Sequence, residues 1–157
     1  MDKLELMKNQ KFVFGSIHIV SNRKETLLER ELKPFGITFK QWFLMVVIQN
    51  TFETPPTLNE AAKAMGSSHQ NIKKIASILE EKGYVAFHKD KRDSRVTRIS
   101  LTEASYKLAE IIQAQAATFT SALFAGINED EMEKARRVLQ TMMSNLAKME
   151  QNKMENE

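Results

Sequence analysis

Two clusters in this 157-residue chain carry side chains suited to gripping a polyanion. The first is Ser67-Ser68-His69-Gln70-Asn71-Ile72-Lys73-Lys74. If Ile72, Ile75 and Leu79 face inward on a helix, then Gln70, Asn71, Lys73 and Lys74 face outward. Asn and Gln can pair in bidentate fashion with adenine, and Lys reaches guanine or phosphate. The second cluster is Lys89-Asp90-Lys91-Arg92-Asp93-Ser94-Arg95, with Arg98 close behind. A purely basic turn would bind phosphate without discrimination. Interleaved aspartates can aim an arginine through charge-assisted hydrogen bonds, and an aimed arginine suits a narrow minor groove. Taken singly, the first cluster also fits a solvated polar face. The second also fits a solubilising turn with ion pairs that add little stability. Side by side, a polar helix and a basic hairpin favour duplex DNA.

The elements that must position these clusters follow from periodicity and breakers. Phe14, Ile17, Val20, Leu28 and Leu32 recur at helical spacing from about Asn9, and Pro34 with Gly36 ends that helix. Thr38 is placed to cap a short, nearly all-apolar helix by accepting the Gln41 amide. Pro55-Pro56 breaks the chain. Leu58 to Met65 forms a compact helix closed by Gly66, and Ser67 or Ser68 caps the next, which Gly83 ends. Tyr84, Val85 and Phe87 read as one strand, and Val96 to Leu101 as a partly alternating second. Thr102 and Glu103 open a long helix striped by Leu108, Ile111, Ile112, Phe119 and Leu123, which Gly126 and Asn128 break. Met132, Ala135, Val138, Leu139, Met142, Leu146 and Met149 stripe the last helix. These stripes exceed what a lone chain of this size covers, so pairing with a second copy is expected to bury them.

From Ala61 to Thr102 the chain resembles the winged helix-turn-helix of the MarR family of transcription regulators. Leu79-Glu80-Glu81-Lys82-Gly83-Tyr84-Val85 is similar to the family's exit from the recognition helix. Asp90-Lys91-Arg92-Asp93-Ser94-Arg95 is similar to its wing signature, and Ile99-Ser100-Leu101-Thr102 to the strand entering the dimer helix. The order of elements extends the resemblance over nearly the whole chain. One departure is Phe87-His88, where many members carry an arginine.

The resemblance implies a mainly α fold, with a winged helix-turn-helix core, a two-stranded β-hairpin wing and N- and C-terminal dimerisation helices. One domain would span 1–157: a dimerisation helix over 1–36, the winged core over 37–101, dimerisation helices over 102–149 and a disordered tail over 150–157. The DNA-binding set is Ser67, Ser68, His69, Gln70, Asn71, Lys73, Lys74, Lys89, Asp90, Lys91, Arg92 and Arg95. Within it, Arg92 would enter the minor groove with Asp90 orienting it, and Asp93 with Arg95 would brace the wing. A small-molecule effector would lodge near Ile17, His18, Ser21, Trp42 and Met45 and release the DNA. The expected protein is a homodimeric repressor on a pseudo-palindromic operator. The competing class is a winged-helix protein-docking module, which would show exposed aromatics at the wing rather than basic residues.

Composition narrows the rest. With no cysteine, disulfides, zinc thiolates and cysteine redox sensing are excluded. His18, His69 and His88 fall in different elements without ligand spacing, so no metal is expected. There is no phosphate loop or nucleophile elbow, so no catalytic residue and no cofactor are expected. No apolar run approaches a membrane span and no signal-peptide core opens the chain, so a cytoplasmic location without membrane partners is expected. Net charge is only +3, so the local clusters say more than the total.

Overall fold

The computed structural model describes residues 3–154. Helix α1 (Lys3–Leu32) begins six residues before the apolar pattern does, because Leu, Glu, Met and Lys carry helix propensity without an apolar stripe. A 3-10 turn (Lys33–Phe35) follows, and Gly36, at φ 66°, reverses the chain in the left-handed region. Thr38 caps α2 (Phe39–Thr51) in a reciprocal box with Gln41: each backbone amide donates to the other's side chain at 3.2 Å. Thr57 and Glu60 form a second box on α3 (Leu58–Ala64).

Ser68 caps α4 (His69–Glu81), accepting the Asn71 amide at 3.2 Å. At the far end Gly83, φ 77°, donates to the Glu80 carbonyl, and the Tyr84 amide closes on the Leu79 carbonyl. Strands β1 (Val85–Lys89) and β2 (Thr97–Leu101) pair antiparallel, from Val85 opposite Leu101 to Lys89 opposite Thr97. A feature absent from the sequence reading extends this hairpin. Thr57 bridges Arg98, and the Ile99 amide donates to the Pro56 carbonyl at 2.9 Å. The proline segment thus satisfies the outer edge of β2 and ties the wing to the start of α3.

Helices α5 (Glu103–Leu123) and α6 (Glu129–Met154) complete the chain. Asn128 and Glu131 exchange backbone-to-side-chain bonds at the start of α6. The tail expected to fray from Glu150 instead continues α6 as far as Met154, since Glu, Gln and Lys propagate a helix already nucleated; residues 155–157 lie outside the described residues.

Where the sequence reads as one domain, the chain falls into two compact units, 1–115 and 116–157. The core of the first is built from Leu32, Leu44, Ile72, Leu79, Val85, Ile99, Leu108 and Ile112, all buried. Much of the apolar surface stays uncovered. In the first unit Phe12 and Phe14 are 74% and 79% exposed, with Ile17, Ile19 and Val20 beside them on α1. In the second, Val138, Leu139, Leu146 and Met149 are exposed along α6.

Candidate nucleic-acid interface

The period of α4 separates its two faces. Ile72, Ile75, Ala76 and Leu79 are buried against the core, so His69, Gln70, Asn71, Lys73 and Lys74 face solvent. The opening turn is held by side chains. Asn71 donates from Nδ2 to Ser67 Oγ at 2.9 Å, while Ser68 Oγ is engaged at the cap. His69 Nδ1 donates to Asn59 Oδ1 of α3 at 2.6 Å. Four of the expected contact residues, Ser67, Ser68, His69 and Asn71, are therefore held by hydrogen bonds. Gln70, Lys73 and Lys74 extend from a helix whose other side is locked in the core.

The wing is built around Asp90. Its Oδ1 accepts the backbone amides of Arg92 at 2.7 Å and Asp93 at 3.0 Å, which folds the tip back on itself. Its Oδ2 pairs with Arg98 Nε. The expectation that Asp90 orients the Arg92 side chain is corrected here. A carboxylate at the first position of a tight turn lies against the next amides, and its outer oxygen faces the returning strand, where Arg98 stands. Among the described residues the Arg92 guanidinium pairs with no carboxylate. Asp93 and Arg95 do pair, through Nε at 3.1 Å and Nη2 at 3.3 Å.

Arg98 is the functional residue that sequence reasoning undervalued. It appeared only as one more basic residue of the cluster. In the fold its side chain is 30% exposed and joins three elements: Asp90 on the wing, Glu60 on α3 at 3.7 Å and the Pro55 carbonyl at 2.8 Å. Its place opposite His88 on the outer face of β2 depends on strand register, which spacing alone does not supply.

These contacts set the ionisation of the tip. The Arg98 hydrogen bond, helped by the amides of Arg92 and Asp93, holds the Asp90 carboxyl down to about 2 from its ordinary 3.8. Arg95 likewise lowers Asp93, and the Thr57 amide lowers Glu60. For a depressed carboxyl the stabilisation is complete above the unfolded value and is lost as pH falls through the folded one. The wing tip should therefore hold from neutral pH down to about pH 4 and loosen towards pH 2. An amide NMR titration should show Arg92 and Asp93 shifting with a midpoint near 2. A midpoint near 4 would mean that Arg98 does not hold Asp90 in solution.

Between α4 and the wing lies an open cleft of about 590 Å³. His69 and Lys73 line it from α4, His88, Lys89 and Arg95 from the wing, and Asn59 from α3. His69 and Lys73 of the first cluster and Lys89 and Arg95 of the second therefore face one groove. His69 and His88, which the sequence places in separate elements, share it. The residues expected to hold an effector do not line this cleft. Met45 is buried, Trp42 packs 6.0 Å from the Phe39 ring, and Ile17, His18 and Ser21 are exposed on α1.

This arrangement is the winged helix-turn-helix fold shared by MarR-family transcriptional regulators. No protein-family model matches the chain. Among solved structures, it is similar to the MepR–DNA complex of S. aureus at 23% identity, covering 86% of this chain and 96% of that one, with a TM-score of 0.74. A MarR/EmrR family regulator from Acinetobacter sp. ADP1 aligns at 18% identity over 88% and 97% of the two chains, with a TM-score of 0.79. CouR from Rhodococcus jostii RHA1, solved with p-coumaroyl-CoA bound, aligns at 21% identity over 83% and 91%, with a TM-score of 0.74. Among the described residues no helix is long and apolar enough to cross a membrane.

Proposed function

We propose that this protein is a MarR-type transcription regulator that binds a pseudo-palindromic operator as a homodimer and acts as a repressor. The observation that carries the reading is the single groove flanked by two basic elements, each anchored to the same core. The solvent face of α4, with Gln70, Asn71, Lys73 and Lys74, suits base edges in the major groove. The wing tip, with Lys89, Lys91, Arg92 and Arg95, suits phosphate and the adjacent minor groove. The MepR structure, a complex with DNA, supports a nucleic-acid partner for this fold.

The dimer rests on exposed apolar surface. Phe12, Phe14, Ile19 and Val20 are exposed along the middle of α1, and Val138, Leu146 and Met149 along α6. A helix that is apolar on several sides is stable in water only when covered. A two-fold axis then places two α4 helices on half-sites roughly 10 base pairs apart. Release by a small molecule is the regulatory layer of this reading, supported by the CouR complex with p-coumaroyl-CoA. A ligand near Ile17, His18, Ser21, Trp42 and Met45 would act by favouring a helix spacing unfit for the operator. In this reading the protein works in the cytoplasm and catalyses nothing.

Fluorescence anisotropy against DNA from its own upstream region tests the proposal. Each subunit offers six cations at the interface: Lys73, Lys74, Lys89, Lys91, Arg92 and Arg95. If about half of the twelve in a dimer meet phosphate, log K should fall against log salt with a slope near −5. Saturable binding at two subunits per site, with that slope and resistance to competitor DNA, is the expected result. A flat salt dependence, or no binding at low salt, would move the reading to a protein-docking module.

A further inference from the structure

In the function proposed above, α4 reads DNA and α1 meets a second copy. One side chain ties α4 to the turn that follows α1 and to α2. Lys82 caps the C-terminus of α4, and its Nζ crosses to the junction between α1 and α2. There it donates to the Gly36 carbonyl and, at 3.2 Å, to Gln41 Oε1. Gln41 is only 5% exposed, and the same oxygen takes the Thr38 amide. Glu29, near the end of α1, accepts the Phe39 amide at 2.7 Å, tying α1 to the start of α2. Leu28, Leu32 and Ile37 are buried beneath it. The point where α1 turns into α2 is therefore pinned to the end of the reading helix by a cation shared between two acceptors.

Such a tie has little weight in stability, because the Gly36 carbonyl can turn to water when the lysine is removed. Its leverage is geometric. A helix of 30 residues is about 45 Å long, so a tilt of about 5° at one end moves the other by about 4 Å. That displacement is comparable to the roughly 3.4 Å between successive base pairs. We infer that Lys82 is a positioning residue: its bonds to Gly36 and Gln41 hold α4 against the turn from which α1 departs, and so set which half-site separation the dimer accepts. The inference rests on the proposed dimeric DNA reader and specifies what tunes it.

The test uses the full-length protein and duplexes derived from the site it selects out of a random pool. Half-site separation is varied in single base pairs, and Kd is measured for the wild type, Lys82→Met and Lys82→Arg. The wild type should prefer one separation. Lys82→Met should lose roughly tenfold there while binding neighbouring separations nearly as well as the wild type, and Lys82→Arg should restore the sharp preference. A Lys82→Met profile parallel to the wild type, merely displaced, would overturn the positioning role and leave the proposed function standing. A wild type that selects no paired half-sites would instead overturn the function. Amide exchange at Gly36 and Thr38 decides the tie in either case: faster exchange in Lys82→Met supports it, and unchanged exchange overturns it.

Discussion

Replacing Arg92 with alanine is expected to weaken operator binding about ten- to a hundredfold while leaving thermal stability unchanged. The two halves of this expectation have separate causes. Arg92 is exposed, and its guanidinium forms no ion pair within the described chain, so its removal leaves no unsatisfied partner behind. Only its backbone amide is used by the fold, and alanine keeps that amide for Asp90. In a narrow minor groove, by contrast, a guanidinium meets concentrated negative potential, and the loss of one such contact is worth about 1–3 kcal/mol. Gel-shift titration beside a melting curve separates the effects. An unchanged Kd would remove Arg92 from the interface. A large fall in melting temperature would show that the tip depends on the side chain after all. Arg98 is the instructive contrast: its truncation should disturb the wing itself, because Asp90, Glu60 and the Pro55 carbonyl each lose one partner at once.

The second large effect is on stability. Leu79→Ala should cost about 2–5 kcal/mol, the range for a fully buried leucine whose cavity cannot collapse. Leu79 has no exposed surface and sits on the inner face of α4 beside Ile72 and Ile75. Its carbonyl also closes the turn into the wing by accepting the Tyr84 amide. The cavity would therefore open under α4 at its junction with β1. Domains are commonly stable by only about 5–15 kcal/mol, so this one truncation removes a large fraction. Urea unfolding at fixed protein concentration should show a lower midpoint with an unchanged slope. A loss below about 1 kcal/mol would mean that the core refills the space, contrary to dense packing around α4.

Together the two variants separate the parts of the interface. In the proposed function Arg92 would act through what it touches outside the protein, and Leu79 through the rigidity of what it supports. Asp90 stands between them. It makes no outward claim of its own, yet it shapes the loop from which Lys91, Arg92 and Arg95 project. The acid titration of the wing follows that contribution without a substitution, through the amides of Arg92 and Asp93 that Asp90 accepts.

Much of this was determined by the sequence itself, because local chemistry acts over a few residues. Thr38 three residues before Gln41 makes a cap wherever the helix lies. Gly36 and Gly83 mark left-handed turns because other residues meet steric cost there. Ile72, Ile75 and Leu79 at helical spacing forced Gln70, Asn71, Lys73 and Lys74 outward. The wing tip was legible for the same reason, as basic residues crowded between two short strands. Tertiary structure alone decided the contacts between residues far apart in the chain. Arg98 reaches Pro55, 43 positions earlier, and Lys82 reaches Gly36, 46 positions earlier. Asp90 chose Arg98 across the hairpin over its neighbour Arg92 because register set the distance. His69 and His88 came to one cleft through the packing of α3, α4 and the wing. Periodicity specifies which face of an element is buried, but not what that face meets. Charge pairing follows distance in space, and distance is fixed only when the core closes.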